Sequence, residues 1–175
     1  MARAARRERE AGHLVRVIVE VPRPRGRAKV GPVIYTIGYE LRDQDELVGD
    51  LLEAGVRVLA DIRERPVSRK PGFGANALRG LCAAHGLEYA SWAGLGSTVA
   101  QRGRVKATGD SESFFRDFRA YAQAWLGDEL DALAKAMKAS PTALLCFERV
   151  HEECHRCVVA ELLADRAQGG TTAIV

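Results

Sequence analysis

The chemistry available to this chain is concentrated in a few short segments. Asp61 and Arg63 lie together, Cys146 and Glu148 lie together, and Cys154, His155 and Arg156 are consecutive. Asp61 and Glu148 are carboxylates able to act as general acid or base. Cys154 stands beside His155 at an expected helix start, where a thiol pKa tends to fall, so it is a candidate nucleophile. The same helix start offers unpaired N–H groups to an anion. Arg63 and Arg156 add planar, permanently charged forks that suit phosphate or carboxylate. The expected catalytic set is Asp61, Cys146, Glu148, Cys154 and His155. The expected ligand-binding set is Gly38, Tyr39, Arg63, Arg65, Ser68, Arg69, Phe73 and Arg156.

Each of these residues also has an ordinary structural reading. Cys146 lies in an apolar run, where a buried thiol is more often packing than chemistry. Asp61 and Arg63 can pair with each other, and Arg65, Arg69 and Lys70 can be a solvated loop. Cys82 sits on an apolar helical stripe and reads as core. His85 precedes Gly86 as a helix C-terminal residue, His13 reads as tail, and His151 is a weaker candidate for a site rim. Cys154 and Cys157 form a C-x-x-C, which with Cys146 and His155 could make a metal or dithiol site. A structural zinc site usually carries paired clusters, and a second C-x-x-C is absent. Haem attachment fails because Val158 follows Cys157. Metal and redox chemistry therefore rank below anion binding, no metal ligand is assigned, and the cofactor stays open.

These side chains need elements to hold them. VIYTIG (33–38), VRVLADI (56–62), LEYA (87–90), TALLCF (142–147) and the terminal TTAIV read as strands. Leu47, Val48, Leu51 and Leu52 mark a helix with Asp43 as cap and Gly55 as stop; Ala77, Leu78, Leu81 and Cys82 mark a second, closed by Gly86. Phe114, Phe115, Phe118, Tyr121 and Trp125 share a helical face, as do Leu130, Leu133, Ala134 and Met137. Both stripes read as core packing. Val158, Val159, Leu162 and Leu163 mark the last helix. Residues 91–111 show little periodicity and are expected to be a long loop, either a lid or binding loop or else disordered. Strands alternating with helices predict a mostly parallel sheet buried on both faces. Ligands in such folds bind outside the carboxyl ends of the strands, and that rule brings Gly38, Asp61, Cys146 and Cys154, with their neighbours, to one edge.

The chain of 175 residues, 47% apolar and 28% charged, suits a single globular domain. No apolar run reaches the roughly 18 residues of a membrane span, and no signal-type apolar stretch follows the basic N-terminus. A cytoplasmic protein with reduced thiols and no membrane partner is expected. Residues 1–31 form a basic segment with a possible extra strand over 14–21 and a linker, VPRPRGRAK, of a kind that can contact nucleic acid. A solvated tail is the weightier reading. Residues 32–175 form the α/β domain.

Four segments are recognisable together: IYTIGYE, VRVLADIRERPVSRKPGF, GLEYASWAGLG, and LLCFERVHEECHR followed by VVAELL. In their order and spacing they resemble the domain of unknown function 488 family, from about Val33 to the C-terminus. The resemblance implies a Rossmann-like three-layer α/β sandwich. It also implies a shared polar cluster at Gly38, Asp61, Arg63, Pro66, Ser68, Phe73, Cys146, Glu148, Cys154, His155 and Arg156. It implies no reaction, because the family carries no established general activity. The family often has Gly or Thr at Leu41, Asp-Pro at Val150 and His151, and a small residue at Cys157, so the C-x-x-C reads as incidental. The leading expectation is an enzyme-like domain that binds a phosphate-bearing small molecule or nucleotide, with hydrolysis or group transfer. The alternative is a nucleic-acid-binding or processing module in which Tyr39, Phe73 and Trp92 stack on bases. The second alternative is a Cys/His metal or redox protein using Cys146, Cys154, His155 and Cys157.

Overall fold

Strands with no polar face must be covered on both sides, and the sheet is built that way. The computed structural model describes residues 33–167 and 171–175; the basic segment and its expected extra strand lie outside them. Strands β1 (Val33–Gly38), β2 (Val58–Asp61), β3 (Glu88–Ser91), β4 (Thr142–Cys146) and β5 (Thr171–Ile174) form one sheet in the order β3-β2-β4-β1-β5. Every pairing is parallel. Every residue of the central β4 is buried.

Helices α1 (Gln44–Glu53) and α2 (Ala75–Ala84) cover one face. Helices α4 (Ser111–Trp125), α5 (Gly127–Met137) and α6 (Arg156–Arg166) cover the other. Side chains alternate to match. Ile37, Leu59, Ala143 and Leu145 pack with Leu47, Leu51, Leu78 and Cys82. Ile34, Ala60 and Leu144 pack with Phe118, Leu130, Leu133 and Val159. The result is the expected Rossmann-like three-layer α/β sandwich. Among the described residues no helix is long and apolar enough to cross a membrane.

Local signals set the ends of α1. Glu46 N donates to Asp43 Oδ1 and Asp43 N donates to Glu46 Oε2, each at 2.8 Å, a reciprocal cap that satisfies two exposed donors. Gly55, at φ +74°, stops the helix.

Residues 91–111 are not a loop. They hold a 3-10 turn (Ala93–Leu95) and a helix, α3 (Val99–Thr108). Thr98 and Gln101 cap α3 reciprocally and Gly109 ends it at φ 71°. The helix buries none of its residues, so it needs no apolar period, and Gly103 interrupts what pattern there is. Trp125 also departs from its expected core stripe: it is 75% exposed, and Leu126 takes the buried place.

The crossovers fix where a ligand can go. Helix α1 carries the chain from β1 past β4 to β2, and α6 carries it from β4 past β1 to β5. The two helices lie on opposite faces, so the loops after the neighbouring strands β1 and β4 part there. That crevice is the usual ligand position of an open α/β sheet. On its rim Leu41 holds φ 59° and is 82% exposed. A left-handed backbone costs a non-glycine residue about 1–2 kcal/mol, part of which glycine's unfolded-state entropy returns. Leu41→Gly is therefore expected to stabilise the fold by about 0.5–1 kcal/mol, read as a higher thermal midpoint.

Candidate functional site

Two polar centres form at the carboxyl edge, one on each face of the sheet. On the α1–α2 face, Asp61 ends β2 fully buried and Arg63 is nearly so. Arg63 Nε donates to Asp61 Oδ1 at 2.8 Å, Nη2 to Oδ2 at 2.5 Å, and the Arg63 backbone N–H to Oδ1 at 3.1 Å. Nη1 donates to the Tyr39 hydroxyl and to the Phe73 carbonyl, both at 2.9 Å. The Tyr89 hydroxyl donates to Asp61 Oδ2 at 2.7 Å. Burial opposes the charge on Arg63, but the bond and charge of Asp61 outweigh it and hold the guanidinium pKa above its ordinary value. Burial, followed by the Asp61 contact, raises the Tyr89 pKa. Tyr39 stacks on Phe73 at 4.8 Å between centroids. The Arg63 fork is thus spent within the protein, and this centre clasps the loops after β1 and β2 to the strand end.

On the α4–α6 face, Cys146 ends β4. A 3-10 turn (His151–Glu153) then returns the chain, and Cys154 enters in extended backbone just before α6. Cys146, Cys154 and His155 are buried. His155 Nδ1 lies 3.6 Å from Cys146 Sγ and 3.8 Å from Cys154 Sγ. Its Nε2 lies 3.2 Å from the Ile62 carbonyl oxygen. That oxygen only accepts, so Nε2 carries a hydrogen, and Nδ1 faces the two thiols. The Phe118 ring meets the imidazole edge-on, at 5.3 Å and 82°.

The Cys146 thiol donates to Glu148 Oε2 at 3.3 Å. Burial pushes the Glu148 carboxyl up, but hydrogen bonds from Cys154, its own backbone N–H and Cys146, with His155 nearby, leave it below its ordinary value. Burial carries Cys154 the other way, well above the ordinary thiol value, reinforced by Cys146. The expected lowered thiol is therefore corrected. Helix α6 begins at Arg156 rather than at Cys154, and Cys154 is only 1% exposed.

The model of the family described as Domain of unknown function DUF488 matches residues 43–163, more than half of the chain. The chain belongs to the DUF488 family. No curated protein and no solved structure matches it. The DUF488 match contains the whole thiol–imidazole centre, while Gly38 and Tyr39 lie just before it.

The remaining expected site residues of the DUF488 chain take varied places. Arg156 is completely buried; Nη1 donates to the Glu148 carbonyl at 2.5 Å and Nη2 to the Arg149 carbonyl at 3.1 Å. It shapes the loop after β4 from inside rather than opening a fork outward. Gly38 touches the same loop, since a Cβ there would lie 1.9 Å from Glu148 O. Ser68 Oγ accepts from Lys70 N at 3.1 Å, and Lys70 Nζ donates to the Tyr39 and Arg42 carbonyls. Arg65 and Arg69 are exposed. Tyr39 and Phe73 are buried against each other, and Trp92 packs on the core, so none is an exposed stacking platform. Cys157 sits half-buried against the core, outside the thiol–imidazole group, with burial pushing its thiol up to about 11. Cys82 is core, as expected.

Residues the sequence reading missed are Tyr89, Phe118 and the Ile62 carbonyl. Tyr89 was accessible in principle. It pairs with Leu59 in a parallel register, which puts it on the Asp61 face by strand alternation.

His151 Nδ1 lies 3.1 Å from Thr36 Oγ1. Burial and then the Arg156 charge hold its pKa below 6.5. The unfolded chain then binds the proton more readily, so stability is complete above 6.5 and declines as pH falls toward the lowered native value. Between about pH 7 and 5 the melting midpoint should fall, and it should fall less for His151→Gln.

Proposed function

We propose that this chain is an enzyme-like domain that binds a phosphate-bearing small molecule or nucleotide at the carboxyl edge of its sheet. Hydrolysis or group transfer takes place at the centre made by Cys146, Glu148, Cys154 and His155. The observation that carries this reading is the convergence of two thiols and a carboxylate on one imidazole beside the crevice where such folds hold ligands. A well-packed core has no need to gather such groups, because buried polar side chains cost free energy unless each finds a partner.

The cations suited to a phosphate are not the ones with buried forks. Arg65, Arg69 and Arg149 are exposed, and none makes a side-chain hydrogen bond or ion pair among the described residues. They stand on the loops after β2 and β4. The same rim carries exposed Leu41, Val67, Phe147 and Val150, apolar surface suited to a base or sugar. A reducing, cytoplasmic setting fits this reading, since the centre needs its thiols free.

A thermal-shift screen tests it, because a ligand that binds only the native state raises the melting midpoint. The probes are adenosine monophosphate, ribose 5-phosphate, inorganic pyrophosphate and short DNA and RNA. One of the small phosphates is expected to raise the midpoint of wild type and to do so far less for Arg69→Gln/Arg149→Gln. Stabilisation by oligonucleotides alone, lost with added salt, would replace this reading with the nucleic-acid module.

A further inference from the structure

The spacing of the thiols, carboxylate and imidazole is specific enough to suggest what they hold. Cys146 Sγ, Cys154 Sγ and His155 Nδ1 all lie within 4.8 Å of one another. The individual separations are 3.6 and 3.8 Å from sulfur to Nδ1, and 3.3 Å from Cys146 Sγ to Glu148 Oε2. Bonds of about 2.3 Å to sulfur and about 2.0–2.2 Å to nitrogen and oxygen give a tetrahedron whose sulfur-to-nitrogen or sulfur-to-oxygen edges are about 3.5 Å. The two sulfurs and the imidazole nitrogen already stand at close to those spacings, and the Glu148 carboxylate lies beside Cys146 at the edge of the group.

The surroundings match as well. A metal-binding histidine usually donates its other ring N–H to a carbonyl or carboxylate, which fixes the tautomer. His155 does this to Ile62 O at 3.2 Å, and Phe118 closes the side of the ring. Arg156 holds the Glu148 carbonyl, so the loop that carries the carboxylate is fixed independently of any ion. Two thiolates with an imidazole form a soft donor set that favours zinc over magnesium or calcium.

We propose that Cys146, Cys154 and His155 Nδ1 bind a tetrahedral divalent ion of the zinc class, with the Glu148 carboxylate beside Cys146 as a supporting neighbour and the fourth position open. The thiols of Cys146 and Cys154 give their protons to solvent as the ion enters, and no electrons move. Cys157 takes no part. The site comes from Cys146 and Cys154-His155, not from the C-x-x-C. This inference specifies the chemistry of the centre proposed above. It is tested without substrate, so its failure would leave the phosphate-ligand reading standing.

The test uses the full chain, purified in the presence of zinc and a non-thiol reductant, then desalted and analysed for metal. Wild type and Cys157→Ser are expected to keep about one zinc per chain, and Cys146→Ser and Cys154→Ser to keep less by a factor of about ten or more. Replacement by cobalt should give sulfur-to-cobalt charge transfer and the intense visible absorption of a tetrahedral site in wild type and Cys157→Ser alone. Because Cys154 is deeply buried, each variant is read beside its circular dichroism. Glu148→Gln, at a half-buried position, provides a folded variant with zinc affinity about 10–100-fold weaker. A cobalt-treated wild type without sulfur-to-cobalt bands would overturn the proposal. So would zinc retained by Cys146→Ser and Cys154→Ser at the wild-type level.

Discussion

Asp61→Ala is expected to lower the unfolding free energy by about 3–5 kcal/mol, the usual cost of breaking a buried ion pair by removing one partner. Asp61 is fully buried and accepts two bonds from the Arg63 guanidinium, one from the Arg63 backbone and one from the Tyr89 hydroxyl. Alanine leaves all of those donors without their acceptor. It also leaves a buried guanidinium that cannot shed its charge, between the Tyr39 ring and the Phe73 carbonyl. Urea unfolding measures the loss. Asp61→Leu/Arg63→Met removes both charges and should lose clearly less than Asp61→Ala alone, since an apolar pair of similar volume often replaces a buried ion pair at little cost. A double variant as unstable as the single one would mean that something other than the uncompensated charge sets the cost.

The second large effect belongs to Gly38→Ala. The added Cβ would meet Glu148 O at 1.9 Å, Glu148 C at 2.6 Å and Arg149 Cα at 2.9 Å. All three are backbone atoms, so no side chain can swing aside, and the loop after β4 has to move. Overpacking of this kind costs about 1–3 kcal/mol and occasionally more. The displaced loop carries Glu148 and is pinned by Arg156 from behind, so the variant should lose both thermal stability and zinc affinity. Gly49→Ala supplies the contrast. Gly49 lies inside α1 with open space where the added methyl would sit, and alanine there should stabilise by about 0.5–1 kcal/mol. Equal stability changes at the two glycines would contradict the close approach of the β1 and β4 loops.

The fold was legible because its signals are periodic. The runs ending at Gly38, Asp61 and Cys146 are too apolar to be anything but buried strands, and the Leu47–Leu51 and Val158–Leu162 stripes show which helix faces meet the sheet. Helix α3 was hidden because it packs no side chain into the core; only the Thr98–Gln101 cap betrays it. The residues of the site were legible as types. Their division between two faces was not, since it depends on strand parity and on which side each crossover runs. Asp61 follows Leu59 toward α1 and α2, whereas Cys146 follows Leu144 toward α6. Charge misled in the same way. Arg63 and Arg156 read as anion forks, yet both are consumed by carbonyl and carboxylate oxygens that only the folded chain brings near. The thiol pKa misled because burial outweighs proximity to a helix start once Cys154 is sealed beneath the loop.

The measurement that bears most directly on the proposed working edge is amide chemical-shift mapping of the full chain. The probes are adenosine monophosphate and inorganic pyrophosphate, each titrated at two salt concentrations. The expected result is that the largest changes fall at Leu41 and Arg42, at Arg65 to Lys70, and at Phe147 to His155, the loops that follow β1, β2 and β4. Changes centred on Arg104, Thr108 and Phe114, which line a hollow between α3 and α4, would contradict the account by moving the ligand away from the thiol–imidazole centre.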